Sequence, residues 1–394
     1  MQRIPFWLAW VAALYVSAYA CATGAAPFIN GLAPATDTSP ATSSAVPAAE
    51  KPVPHIALLL PLKSAVFGQA AEAVQGGFLA AASNQSQLLP IKVYGCTDES
   101  TDIVALYQFA VASGARAVVG PLTRNGVTTL AGNTNISVPT LALNTAEARS
   151  AEKLYFFGLS GEAEARQVAQ IAKAAKLNNA IIIQDGAPLS LRLAQAFSEA
   201  WRAQGGSIAK QIEYADDPAV LTELPLALGN MVFLATSVAR AHLLRPYIDS
   251  SLPVYATSQL FNGNADTLAN HDLKDVHFVD MPWLLQLDHP AVMIYPRAEP
   301  PLEPDMERLY ALGIDAYRLV LLLLDDSTRN ALPLDGVTGR IQPGDDHRFQ
   351  RTAVPAVFKQ GLGLTPGAAA SLRFAPRAVS GVPADPSADA QPNE

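Results

Sequence analysis

The chain has 394 residues, 50% of them apolar and 16% charged, which allows a large core and excludes a disordered protein. Its net charge is −8 and the body holds no Lys/Arg cluster, so nucleic acid is not an expected partner and nothing favours anionic lipid head groups. The two cysteines, Cys21 and Cys96, exclude metal sites of the CxxC type, and Cys96 reads as a small buried hydrophobe without a disulfide partner in the mature domain.

The first residues read MQRIPFWLAWVAALYVSAYACATG. Arg3 gives a positive start, residues 6–16 an apolar run too short to span a bilayer, and Ala18 and Ala20 the small residues that a signal peptidase reads. Residues 1–20 are therefore expected to be an export signal. Cys21 follows directly, and a cysteine in that place resembles a bacterial lipobox, which implies Cys21 as the lipid attachment residue. Ordinary cleavage at the same site, giving a soluble periplasmic protein, is the alternative. Residues 21–53 are rich in Ala, Pro, Ser and Thr and nearly uncharged; they cannot bury a core and read as a flexible tether.

From His55 the pattern changes. HIALLLPL is a continuous apolar run closed by a Pro turn, the signature of a buried parallel strand. GQAAEAVQGGFLAAASN places Ala70, Ala73, Val74, Gly77 and Phe78 at helical spacing, a helix packed closely through small residues. IKVYGC is the second strand, and STDIVALYQFAVASG a helix with Ser100 or Thr101 as N-cap and Gly114 as stop. ARAVVGP, VPTLALN and KLYFFGL are three more strands, with a short helix at NGVTTLAGNTN. This alternation predicts a parallel sheet covered on both faces.

A second series follows. GEAEARQVAQIAKAAKL is a helix with Val168, Ile171, Ala172 and Ala175 on one face. NAIIIQD, SIAKQIEYA, NMVFLA, LPVYATS and VHFVDM are strands. Between them lie helices at SLRLAQAFSEAWRAQGG and SVARAHLLRPYI and a short helical stretch at LTELPLALG. MERLYALGIDAYRLVLLLLDD is the most apolar helix, with Leu309, Leu312, Ala316, Leu319, Val320 and Leu323 facing one way. GVTGRIQPGDDHRFQRTAVPAVFKQG reads as a strand, a Pro-Gly turn and a second strand, and residues 364–394 as a disordered tail. The expected fold class is α/β, in two lobes of similar size.

No GxSxG, HExxH or Walker loop occurs, and the six histidines show no metal spacing, so no catalytic residue, metal or cofactor is expected. In a doubly wound sheet ligands sit beyond the carboxyl ends of the strands. There the sequence offers Thr123, Asn144, Thr145, Asp185 and Ser258 as a candidate cleft; the plainer alternative is that they cap helices and line a vestigial groove. Gly120-Pro121 reads as a fold-preserving turn at its border. Trp283 is a candidate interface anchor, with packing at the lobe junction as its alternative.

The segments IALLLPLKSAVFGQAAEAVQGGFLAA, VVGPLTRNGVTTLA, VPTLALN and ALGIDAYRL resemble the type I periplasmic-binding-protein fold. That resemblance implies two doubly wound parallel-sheet lobes joined by crossing segments, with lobe 1 at about 54–158 and 283–328, lobe 2 at about 159–282 and 329–363, and a ligand cleft between them. By likeness to its amino-acid binders, Thr123, Asn144 and Thr145 would hold a carboxylate and Asp185 an amine. Residues 253–285 and the segment LDGVTGRIQPGDDHRFQRTAVPAVFKQG resemble the LppC/LpoA family, with DMPWLL beside ALGIDAYRL as the specific pair. The family resemblance implies a non-enzymatic outer-membrane lipoprotein that binds and activates a class A penicillin-binding protein, a peptidoglycan synthase. The best-known members carry a further N-terminal helical-repeat domain, and the domain expected here is the one that docks on the synthase. A periplasmic solute-binding protein for an amino acid or similar small polar ligand, feeding a transporter, is the alternative function.

Overall fold

The computed structural model describes residues 52–369, apart from residues 86–88, 134, 146–150, 216, 222–223, 266 and 326–330. The expected export signal, Cys21 and most of the tether and tail lie outside the described residues.

Chain order builds the first lobe as β1 (His55–Leu60), α1 (Gly68–Ser83), β2 (Ile91–Gly95), α2 (Glu99–Ala112), β3 (Ala115–Val119), α3 (Arg124–Asn133), β4 (Thr140–Ala142) and β5 (Leu154–Phe156). The strands form one parallel sheet in the order β2-β1-β3-β4-β5. All six residues of β1 are buried, as a strand covered on both faces requires. Ile56, Leu58 and Leu60 enter one core while Ala57 and Leu59 enter another, because successive side chains point to opposite faces.

The second lobe follows: α4 (Gly161–Ala174), β6 (Asn179–Gln184), α5 (Pro188–Ala203), β7 (Ser207–Glu213), β8 (Asn230–Ala235), α6 (Val238–Leu244), β9 (Val254–Ala256) and β10 (Val276–Asp280). Ile181 and Ile183 face one core and Ala180 and Ile182 the other. Next come α7 (Pro282–Leu285), α8 (Pro290–Met293), α9 (Pro304–Leu324), β11 (Leu334–Asp335), β12 (Arg340–Pro343), β13 (Phe349–Thr352), β14 (Val354–Lys359) and β15 (Leu362–Leu364). The second sheet runs β15-β14-β10-β9-β8-β6-β7, parallel from β10 to β7, with β14 antiparallel to both of its neighbours, β10 and β15. The chain thus passes between lobes after β5, after β10 and again before β14.

Helix α9 returns to the first lobe and crosses α1 backbone to backbone. A Cβ on Gly77 would lie 1.8 Å from the Tyr310 carbonyl oxygen, and one on Gly313 2.1 Å from that of Val74. This is why small residues recur in α1: any side chain at either position forces the helices apart.

Four local expectations change. The N-cap of α2 is Asp98, whose carboxylate accepts from Ser100 N–H at 2.8 Å, not Ser100 or Thr101. In α4, Ala175 is the exposed C-cap rather than a core residue. The stretch at LTELPLALG begins at Leu221, which ends a 3-10 turn at Pro218–Leu221, and its residues 224–228 are irregular; Pro225 lacks an N–H and disfavours helix before it. The C-terminal hairpin is divided: β11-β12-β13 form their own antiparallel sheet, and Val337 and Ile341 join the first lobe's core. Only β14 and β15 pair into the second sheet, so residues 329–363 do not belong to one lobe.

Candidate functional site: the inter-lobe cleft

The rim of the first lobe is the turn between β3 and α3. Gly120 has φ +108°, and a Cβ there would fall 2.0 Å from the Leu59 carbonyl oxygen, so the position requires glycine. Past it, the Leu122 N–H donates to Glu99 Oε1 at 2.9 Å and the Thr123 N–H to Glu99 Oε2 at 2.7 Å. The Thr123 hydroxyl accepts from Gly126 N–H at 3.1 Å and so faces its own helix. Asn144 donates to the Leu122 carbonyl at 3.0 Å and accepts from Thr145 N–H at 2.9 Å. The structure therefore brings Thr123, Asn144 and Thr145 together, but what they hold is one another's turns.

Glu99 is the residue that sequence reasoning missed. Only 1% of it is exposed. Its carboxylate sits where two backbone N–H groups at the start of α3 would receive an external anion. Burial pushes its carboxyl above the usual range, against the opposing pull of the Leu122 and Thr123 donors. The same burial, with Glu99 and Asp102 adding to it, pushes the Cys96 thiol up to about 11, which keeps it an inert hydrophobe.

On the second lobe, Asp185 follows β6 and is buried. One carboxylate oxygen accepts from Ala187 N–H at 3.0 Å; the other lies 3.6 Å from Arg240 Nε. The expected amine partner is thus already engaged by its own lobe. Ser258 contributes its backbone: its N–H donates to Glu164 at 3.1 Å and its carbonyl accepts from Arg308 at 3.1 Å.

Arg308 ties the lobes. It projects from α9 and donates to Asp280 at the end of β10 at 2.6 Å and to the Phe261 carbonyl at 2.6 Å. Burial works against its charge, but the Asp280 carboxylate outweighs this and holds the guanidinium above its ordinary value. Glu164 of α4 also pairs with Arg351, which donates in turn to the Thr338 carbonyl at 3.0 Å. A second tie joins α3 to α4 and α5: Glu162 accepts from Arg124 at 2.8 Å and from Arg192 at 2.9 Å. Burial opposes ionisation of Glu162, yet its own backbone N–H and the two guanidiniums win and hold its pKa down to about 2.

Trp283 is not a surface anchor. It is 0% exposed, its Nε1–H donates to Glu307 at 2.5 Å, and the Arg297 guanidinium stacks 3.7 Å from its ring. The position after β10 turns it inward against α9, so the interface reading gives way to packing beside the lobe junction. Among the described residues no group of three or more His, Cys, Asp and Glu could hold a metal, and no helix is long and apolar enough to cross a membrane.

Comparison with known proteins extends over the same residues. The family model described as "LppC putative lipoprotein" matches residues 33–226 and 229–361. The penicillin-binding protein activator LpoA of Glaesserella parasuis is 27% identical over 311 residues, covering 75% of this chain and 52% of that protein. Its namesake in Photobacterium profundum is 26% identical over 353 residues, covering 80% and 57%. The chain thus spans about half the length of the curated relatives it matches. Among solved structures, a Chromobacterium violaceum protein described as "a putative branched-chain amino acid ABC transporter" is 39% identical, with TM-score 0.68, over 78% of this chain and 100% of that one. The C-domain of Haemophilus influenzae LpoA, described as "a regulator of PBP1A", shares the fold at 24% identity and TM-score 0.65, over 79% of this chain and 99% of that one. The matched segments run through both lobes, and the chain belongs to the LppC lipoprotein family.

Proposed function

We propose that this protein is a non-enzymatic envelope lipoprotein that binds and activates a class A penicillin-binding protein, held at the periplasmic face of the outer membrane by lipid on Cys21. One observation carries the reading: the folded part corresponds to nearly the whole of the LpoA C-domain described as a regulator of PBP1A. The filled rim of the first lobe supports it, because Glu99 takes the donors that a transported ligand would need. Activation is then a coupling free energy: the protein must bind the active conformation of the synthase more tightly than the inactive one. The ties through Arg308 and Glu162 suit this role by presenting both lobes as one surface.

The test adds the purified protein to a purified class A penicillin-binding protein from the same organism and follows crosslinked glycan formation beside a direct binding assay. Saturable binding with a faster rate is the expected result. No binding and no rate change at concentrations well above micromolar overturns the proposal. The likeness to the Chromobacterium violaceum protein favours a second reading, a solute-binding protein for an amino acid. Tight, saturable binding of one amino acid by a protein that leaves the synthase unchanged would establish that reading instead.

A further inference from the structure

Between α7 and α9 the chain carries an outward apolar strip that the fold itself does not use. Leu287, Met293 and Ile294 are 67%, 64% and 58% exposed, three large apolar side chains within eight residues. Scattered singly such residues are ordinary, but gathered on one short segment they mark an interaction surface. The strip lies away from the cleft. Helix α1 starts beyond the carboxyl end of β1 and runs back along the sheet, and its C-cap, Asn84, donates to the Ile294 carbonyl at the opposite end of the lobe.

The strip is held from behind. Val292 and Tyr295, on either side of Met293 and Ile294, are buried in the first lobe's core. The Tyr310 hydroxyl donates to the Pro296 carbonyl at 3.0 Å, and His289 caps α8 by accepting from Ala291 N–H at 3.2 Å. With these neighbours fixed inward, Met293 and Ile294 are displayed outward on a rigid backing, so little ordering entropy is lost when a partner covers them.

Charge decides what that partner is. Asp288, Glu299 and Glu303 flank the strip along the chain, are exposed, and form no ion pair among the described residues. Arg297 is the only Lys or Arg between residues 287 and 305, and it turns inward to Glu307 at 3.3 Å and to the Trp283 ring. The surroundings of the strip are therefore anionic. A second copy of the chain would bring the same acids face to face, and an anionic lipid leaflet would be repelled. A protein surface with an apolar centre and a basic rim fits both the strip and its acids.

We propose that this strip is the face that docks on the class A penicillin-binding protein, against an apolar patch edged with Lys and Arg. The proposal rests on the activator reading and adds to it the place and chemistry of contact.

The experiment measures binding of the purified full chain to the purified synthase from the same organism, with hydrogen exchange of the chain free and bound. The unaltered protein should bind saturably, severalfold more weakly at about 300 mM NaCl than at about 50 mM, with slowed exchange within residues 287–294. Met293→Glu combined with Ile294→Glu should weaken binding about tenfold or more and leave the unfolding midpoint nearly unchanged, since both side chains are exposed. Asp288→Lys combined with Glu299→Lys should weaken binding and remove most of its salt dependence. Leu228→Glu, which alters a fully exposed leucine of the second lobe, should bind as the unaltered protein does. Hydrogen exchange needs no variant, so it decides the matter even where a variant does not fold. Saturable binding without slowed exchange at 287–294, unchanged affinity in the folded Met293→Glu, Ile294→Glu variant, or an equal loss in Leu228→Glu overturns this docking face and leaves the activator reading standing. No binding by the unaltered protein overturns both. Loss in the same double variant of a dimer, or of binding to phosphatidylglycerol vesicles, while synthase binding persists assigns the strip to another occupant and also overturns the proposal.

Discussion

The two rims of the cleft start from the same kind of turn and end in opposite states. On the first lobe Glu99 reaches across to the start of α3 and satisfies two backbone donors. On the second lobe the start of α5 has no side-chain cap, and Thr236 beside it is left without a partner. The polar residue types at the two rims are similar, so what separates a filled rim from an open one is whether the chain brings its own acceptor.

The largest expected effect tests how far the rims are held together. Arg308→Met leaves Asp280, which is 0% exposed, without its cation. Losing one partner of such a buried pair is expected to cost about 3–5 kcal/mol, read by urea unfolding. A loss below about 1 kcal/mol would show that the tie contributes little and that the lobes cohere by apolar packing alone.

Glu99→Ala opens the first rim and converts it toward the state of the second. Two buried N–H groups lose their acceptor, at about 2–4 kcal/mol in all, whereas Glu99→Gln keeps one acceptor oxygen and should cost about 1 kcal/mol. Added acetate should restore part of the loss in the alanine variant, since an anion that binds only the native state stabilises it. If acetate has no effect on its midpoint, the turn is not the anion site that its geometry describes.

The two rim carboxylates should also respond to pH with opposite sign. Glu162 has its pKa lowered from 4.5 to about 2, so its contribution is present above pH 4.5 and fades as pH falls toward 2. Its guanidinium partners are about half exposed, which limits the effect to about 1 kcal/mol. Glu99 is raised instead, so the native state keeps the proton to higher pH than the unfolded chain does. Its contribution is greatest below pH 4.5 and declines as pH rises through its native value. Comparing each Glu→Gln variant with the unaltered protein between about pH 3 and 7 should give slopes of opposite sign; parallel slopes would remove the distinction between the two rims.

How much of this was legible in the sequence follows from the range of each interaction. The strands and helices were, because the continuous apolar run of β1 and the helical spacing in α1 are local patterns that burial preserves. The family was legible through the segments DMPWLL and ALGIDAYRL; Trp283 of the first bonds to Glu307 and packs on Tyr310, which directly precede the second on α9. Glu99 was not. It reads as an ordinary first-turn acid of α2, and its partners lie 23 and 24 residues further on. Trp283 was ambiguous since nothing local says which way a residue after a strand turns. The division of the C-terminal hairpin between two sheets is likewise a matter of long-range register, invisible in the turn residues.

Thr236 is the smallest and sharpest case. Its hydroxyl has no partner, so Thr236→Val removes an unsatisfied group and keeps the side chain's shape. Stability should stay within about 0.5 kcal/mol or rise slightly, in contrast to the loss from Glu99→Ala on the opposite rim. Thermal unfolding of the two variants side by side measures this directly. Were Thr236→Val to cost as much as Glu99→Ala, the hydroxyl would already be satisfied in the folded protein.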